Sequence, residues 1–169
     1  KGLQAGRLSL VTQTKGSAYA ARILLRTTGL AAKLFRYRFE ATARGRSHNG
    51  HYRPDYYSEK SDTGKRLTDK TITYVNGLAK VTQSKARKPH WLKPKGQKNR
   101  LDPLTATYEL LRNRPKYTLC QQSFKLFDGA RAVDITLTDP KPDRKGIACR
   151  GVYKRVGGFS EAEMRKGVS

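Results

Sequence analysis

With 169 residues the chain fits one domain and is long enough to bury a core without metal or several disulfides. Its 36 Lys and Arg against 13 Asp and Glu give a net charge of +23, a field that points to anionic partners such as nucleic acid, lipid headgroups or acidic glycans. No apolar run approaches the roughly 18–20 residues of a membrane-spanning helix; the longest candidate, Gly29-Leu30-Ala31-Ala32, is broken by Lys33.

Taken in chain order, the sequence opens at Lys1-Gly2-Leu3 as if in mid-strand and stops at Gly167-Val168-Ser169. We expect a segment of a longer chain, so the missing signal peptide is no argument for the cytosol. Strands are predicted near 4–14, 18–27, 36–46, 51–60, 66–75, 78–84, 118–127, 130–138 and 147–156. The reason is period-two alternation. Tyr19, Ala21, Ile23 and Leu25 share one face, as do Tyr37, Phe39, Ala41 and Ala43, with Arg38, Glu40, Thr42 and Arg44 opposite. Val133, Ile135 and Leu137 repeat the pattern. Asn49-Gly50, Asn76-Gly77 and Asp128-Gly129 each suit a two-residue type I′ hairpin. Gly29 to Phe35 reads as a helical turn or a wide loop.

Residues 85–100 lie in a run with many Lys and Arg, no Asp or Glu, two prolines and a glycine. They are expected to form a mobile basic loop within a single domain of residues 1–169. Asp102 to Arg112 is the one predicted helix. Asp102 suits the N-cap and Pro103 the first helical position, and Leu104, Tyr108 and Leu111 form an apolar stripe. The expected fold is mainly β: a curved antiparallel meander forming an open or partly closed barrel, with one short amphipathic helix.

Candidate sites are few. Lys85, Arg87, Lys88, Lys93, Lys95, Lys98 and Arg100 could contact an anionic partner, with Trp91 stacking on a base or entering a lipid interface. The alternative is a solvated run with Trp91 folded back on the core. Phe35, Tyr37, Phe39, Tyr52, Tyr56 and Tyr57 read as core, or as the lining of an apolar cavity. His48 and His51 would face each other across the Asn49-Gly50 turn, but no third ligand is evident, so no metal is expected. Cys120 and Cys149 flank one intervening strand and either bridge or remain two buried thiols. No catalytic order of Ser, His and Asp, no carboxylate pair and no phosphate-cradling glycine loop is found, and neither catalysis nor a cofactor is expected.

The run Asp102-Pro103-Leu104-Thr105-Ala106-Thr107-Tyr108-Glu109-Leu110-Leu111, then Cys120, Leu126-Phe127-Asp128-Gly129-Ala130-Arg131, Cys149-Arg150-Gly151-Val152-Tyr153 and Arg155-Val156-Gly157-Gly158-Phe159 resembles the bacterial family called domain of unknown function 3108. The opening Leu3-Gln4-Ala5-Gly6-Arg7-Leu8 is similar to that family's first strand. The resemblance implies structural roles for Asp102, Pro103, Leu104, Asp128, Gly129, Arg131, Tyr153, Gly158 and Phe159. It also implies a curved sheet like the half-barrels of periplasmic lipoprotein carriers, further strands after Phe159, and an exported chain of Gram-negative bacteria. An oxidising periplasm would favour a Cys120–Cys149 bridge. The resemblance carries no activity. The expected function is a non-enzymatic periplasmic envelope protein that binds anionic lipid, lipopolysaccharide or an acidic protein. The alternative is a basic nucleic-acid or ribonucleoprotein component.

Overall fold

The computed structural model describes residues 4–144 and 146–166; the Lys1–Leu3 start and the Gly167–Ser169 end lie outside them. Six antiparallel strands follow one another in sequence order: β1 (Gly6–Lys15), β2 (Ala18–Thr27), β3 (Arg38–His48), β4 (His51–Asp62), β5 (Leu67–Val75) and β6 (Leu78–Gln83). A second antiparallel sheet holds β7 (Gln122–Phe127), β8 (Ala132–Asp143) and β9 (Gly146–Gly157). The chain is mainly β and neither sheet closes on itself, in agreement with the open meander. The division into two sheets was not foreseen. Helix α1 (Gly29–Leu34) fills the ambiguous segment after β2, α2 (Pro103–Leu111) joins the sheets, and α3 (Glu161–Arg165) follows β9.

Two hairpins form where their turn residues require it. Asn49 and Gly50 (φ 49° and 77°) join the paired residues His48 and His51, and Asn76 and Gly77 (φ 52° and 74°) join Val75 and Leu78. Both central residues take the left-handed region that a type I′ turn needs. Asp128-Gly129 corrects the expectation. Four residues separate the paired Phe127 and Ala132. The Asp128 carboxylate accepts from the N–H groups of Ala130 and Arg131 at 2.8 and 2.7 Å, which holds the wider loop. Gly129 is needed because the loop lies on the first sheet: a Cβ there would stand 2.9 Å from Lys70 Cδ.

Helix α2 forms as predicted, and the Asp102 carboxylate caps it by accepting from Leu104 N and Thr105 N. It packs against β2, β3 and β4 on one side and β7 on the other. Leu104, Thr105, Ala106 and Tyr108 are buried, but Leu111 is 63% exposed, so the predicted stripe ends one turn early. Leu111 stands beside β1, where Leu10 and Thr12 flank it. The core joins Tyr19, Ala21, Ala41, Ala43, Tyr57 and Ile72 of the first sheet to Leu104, Tyr108, Phe127 and Ala132. Among the aromatics, Tyr57 is core and Phe39 and Tyr52 pack against it, whereas Phe35 is exposed.

The register of β3 and β4 slips between Arg44 and Gly45, leaving Asp55 without an opposite residue. A Cβ on Gly45 would lie 2.2 Å from the Arg53 carbonyl oxygen and 2.8 Å from Pro54 Cα, so the bulge requires glycine. β4 pairs with β3 along its length but with β5 only over Tyr56–Asp62. The unpaired seam opens into a cleft of about 560 Å³ bordered by Arg53, Asp55, Tyr74 and Asn99.

Cys120, just before β7, is bonded to Cys149 of β9, with Cα atoms 5.3 Å apart. The bridge spans the intervening β8. Strand β7 starts later than predicted because Lys116–Thr118 makes a 3₁₀ turn. β8 and β9 run further than predicted, through a register shift between Thr138 and Lys141.

Candidate anion-binding surface

Around helix α2, the buried polar groups of Asp102, Thr105 and Tyr19 are satisfied within the chain. Asp102 and Thr105 are both fully buried. Asp102 Oδ2 accepts from the Thr105 hydroxyl at 2.6 Å. That hydroxyl has one proton, so the Tyr19 hydroxyl donates to Thr105 Oγ1 at 2.8 Å. Burial pushes the Asp102 carboxyl up to about 6, against the lowering effect of its hydrogen bonds, and burial also raises the Tyr19 hydroxyl. Tyr19 stacks on Tyr108 with ring centroids 5.4 Å apart, and Tyr52 meets both rings edge-on. Asp102, Thr105, Tyr19 and Tyr108 therefore clamp α2 to β2. The raised titration of Asp102, Tyr19 and Tyr108 follows from burial in this structural role.

The outer side of the same strands is different. Antiparallel register places Arg7 of β1 opposite Arg26 of β2, and Arg26 opposite Arg38 of β3. Arg46 of β3 lies opposite Arg53 of β4, and Lys15 opens the same row across Ala18. All six side chains are exposed. Like charges directly opposite one another destabilise a sheet. Glu40 relieves part of this by pairing with Arg22 and Arg38, and those two arginines hold its carboxyl below the ordinary range. Arg7, Arg26, Arg46 and Arg53 have no ion-pair partner among the described residues. Arg44 lies over the Tyr56 ring at 4.6 Å, which takes Tyr56 out of the core set.

The basic segment 85–100 is tied to the body of the protein, contrary to the mobile loop expected. Arg87 donates to the Gly129 carbonyl at 3.2 Å, Leu92 N to Ala130 O at 2.9 Å and Asn99 N to Gly77 O at 2.9 Å. Arg100 pairs with Asp134 at 2.7 Å and is mostly buried. Arg87 and Arg100 are therefore engaged inside the chain. Lys85, Lys88, Lys93, Lys95 and Lys98 are exposed. Trp91 is partly buried, with Lys85 and Arg87 over its ring at 5.8 and 5.9 Å.

Several motif residues meet beside this segment. Asp128 and Gly129 shape the loop described above, and Gly158 (φ 86°) is pressed against it, since a Cβ there would lie 2.2 Å from Ala130 O. Arg131 bonds Glu163, and its guanidinium shares the Phe159 ring with Arg155, at 5.3 and 5.4 Å. Tyr153, by contrast, is 41% exposed on β9. His48 and His51 pair across their turn as expected, but no cluster of three or more His, Cys, Asp or Glu able to hold a metal occurs among the described residues.

The sequence reading missed the rows across β1–β4. Alternation already set Arg38 and Arg44 opposite an apolar face. Seeing that Arg7, Arg26 and Arg38 share a row requires the register of two hairpins.

A family model described as protein of unknown function (DUF3108) matches residues 1–141, which leaves out the Cys149–Phe159 motifs. No curated protein and no solved structure matches the chain.

Proposed function

We propose that this chain, which belongs to the DUF3108 family of proteins of unknown function, is a non-enzymatic binding protein of the periplasm that engages anionic envelope components through the outer face of β1–β4. The observation that carries the reading is the pair of cross-strand basic rows. Sheets avoid like charges in register because the arrangement costs stability, and an anionic surface laid across Arg7, Arg26, Arg38, Arg46 and Arg53 relieves that cost. Each basic group close to an anionic membrane contributes about 1 kcal/mol, so three or four engaged together give measurable binding. The Cys120–Cys149 bridge supports an oxidising compartment.

Vesicle co-sedimentation tests the reading. Vesicles with anionic lipid or lipopolysaccharide should retain the protein at low salt, and zwitterionic vesicles should not. Binding should fall steeply toward 1 M salt, where the Debye length shrinks to about 3 Å. Changing Arg7, Arg26, Arg38, Arg46 and Arg53 to Gln should remove most of it. Changing Lys85, Lys88, Lys93, Lys95 and Lys98 to Gln measures the share of the 85–100 segment. Retention unaltered by the first set refutes the outer face as the contact. Duplex DNA that binds more tightly than anionic vesicles at equal salt, and displaces them, selects the nucleic-acid alternative instead.

A further inference from the structure

On the opposite side of the sheet from the basic rows, the ends of β4, β5 and β6 meet residues 85–91 and the 128–131 loop around a groove of about 390 Å³. A second volume of about 490 Å³ continues it and shares Arg66, Thr68, Lys85 and Lys88. Two of the groove's carboxylates are already engaged. Glu59 pairs with Lys70 at 2.8 Å and accepts from the Tyr57 hydroxyl, and Asp128 holds its own loop. Arg131 pairs with Glu163. What remains is Asp69 against Arg66, Lys85 and Lys88, none of them in an ion pair among the described residues.

The walls also hold unmet hydrogen-bonding groups. Trp91 Nε1, Arg131 Nε and Gln83 Oε1 are buried without a partner among the described residues, and all three residues line this groove. A buried polar group left unpaired is costly, and two N–H donors beside free cations call for an oxyanion. A phosphomonoester brings three strong acceptor oxygens and a charge of about −1.5 to −2, which suits this set better than the two oxygens and single charge of a carboxylate. Gln83 Oε1 is an acceptor among donors, so it calls for a hydroxyl on the ligand.

We infer that this groove binds a phosphomonoester carried on a hydroxylated skeleton of the sugar or glycerol type, free or displayed as a lipid headgroup. Arg66, Lys85 and Lys88 hold the phosphate, and a side-chain rotation in the 85–91 segment turns the Trp91 N–H onto it. Gln83 accepts from a neighbouring hydroxyl. The inference rests on the reading of the chain as an anion binder, but it names a site distinct from the outer rows.

Trp91 is the single tryptophan of the chain, so its fluorescence reports on the groove directly. Glycerol 3-phosphate should produce a saturable change at a concentration about tenfold below that needed for inorganic phosphate, the equivalent of one added hydrogen bond. Glycerol should produce none. Gln83→Met should erase the tenfold preference. The exposed changes Arg66→Gln, Lys85→Gln and Lys88→Gln together should weaken binding at least tenfold by calorimetry. Competition with vesicles containing phosphatidic acid, against phosphatidylglycerol vesicles of equal charge, separates a lipid-borne from a soluble source, and a preference for the monoester from either source supports the site. Equal responses to phosphate and sulfate at matched ionic strength, or no response to any of these probes, overturn it. Changing the outer-face arginines should leave the fluorescence response intact. If vesicle retention through that face fails while the response persists, the groove stands and the outer-face reading falls.

Discussion

The two faces of β2 and β3 handle polarity in opposite ways. Inside, Tyr19 sits over the Thr105–Asp102 pair, and each proton of that chain has an acceptor. Outside, a few residues along the same strands, Arg26 lies between Arg7 and Arg38 with like charge on either side. Buried polar groups that are satisfied within the chain define where α2 docks. Exposed charges left in repulsive register do nothing for the fold, and their arrangement suits a partner of opposite sign. The contrast separates residues that hold the structure from those that present it.

The largest effects should come from breaking the closed side. Gly45→Ala puts a methyl group into the β4 backbone at the bulge and should cost roughly 3 kcal/mol or more, measured by chemical denaturation. Replacing Cys120 and Cys149 by Ala opens a covalent loop with a sequence separation of 29 and should cost roughly 3–4 kcal/mol. A fold of unchanged stability would show that the second sheet does not depend on its staple.

The clamp also has a pH signature. Asp102 titrates at about 6 in the folded chain and near 3.9 when unfolded. The neutral carboxyl is the form that burial favours. Its stabilising contribution is therefore full below about pH 4 and is lost as pH rises through about 6, by on the order of 2–3 kcal/mol. Relative to Asp102→Asn, which does not titrate, the parent should lose stability across that window and then level off. A difference that does not change with pH would show that the carboxyl is not desolvated.

Smaller effects sharpen the other side of the comparison. Arg26→Gln removes the central charge of a row and should raise stability by up to about 0.5 kcal/mol at low salt while weakening vesicle binding. Leu111→Ala should shift stability by less than about 0.5 kcal/mol, because the side chain is mostly in solvent.

The sequence announced what is local. Asn-Gly pairs marked two hairpins, and an Asp-Pro pair marked the start of α2. Alternation named the buried faces of β2 and β3. What depended on distant neighbours was hidden. Leu111 falls on the apolar side of α2, yet nothing in the sequence says the helix reaches the edge strand there. Asp128-Gly129 looks like a two-residue turn, but the loop widens because it must rest on Lys70 and Val81. Ser160 and Glu163 form a capping box that was readable and overlooked. The basic segment was visible by composition, but its anchoring through Gly129 and Ala130 was not. Of the candidate surface, alternation within one strand could place Arg26 and Arg38 on a face in advance, but not the rows they share with their neighbours.

The bulge at Gly45 reaches beyond strand geometry into the kinetics of the native state. One side of β4 is bonded to β3 throughout, whereas the other side is bonded to β5 only from Tyr56 onward. Amide hydrogens of the Tyr56–Asp62 half that point at β5 should exchange with solvent only in larger openings of the sheet. Those that face the open seam ahead of Tyr56 should exchange by local fluctuation, orders of magnitude faster. A single strand would thus be both anchor and gate, with the boundary at the one residue that has no partner across the bulge, Asp55.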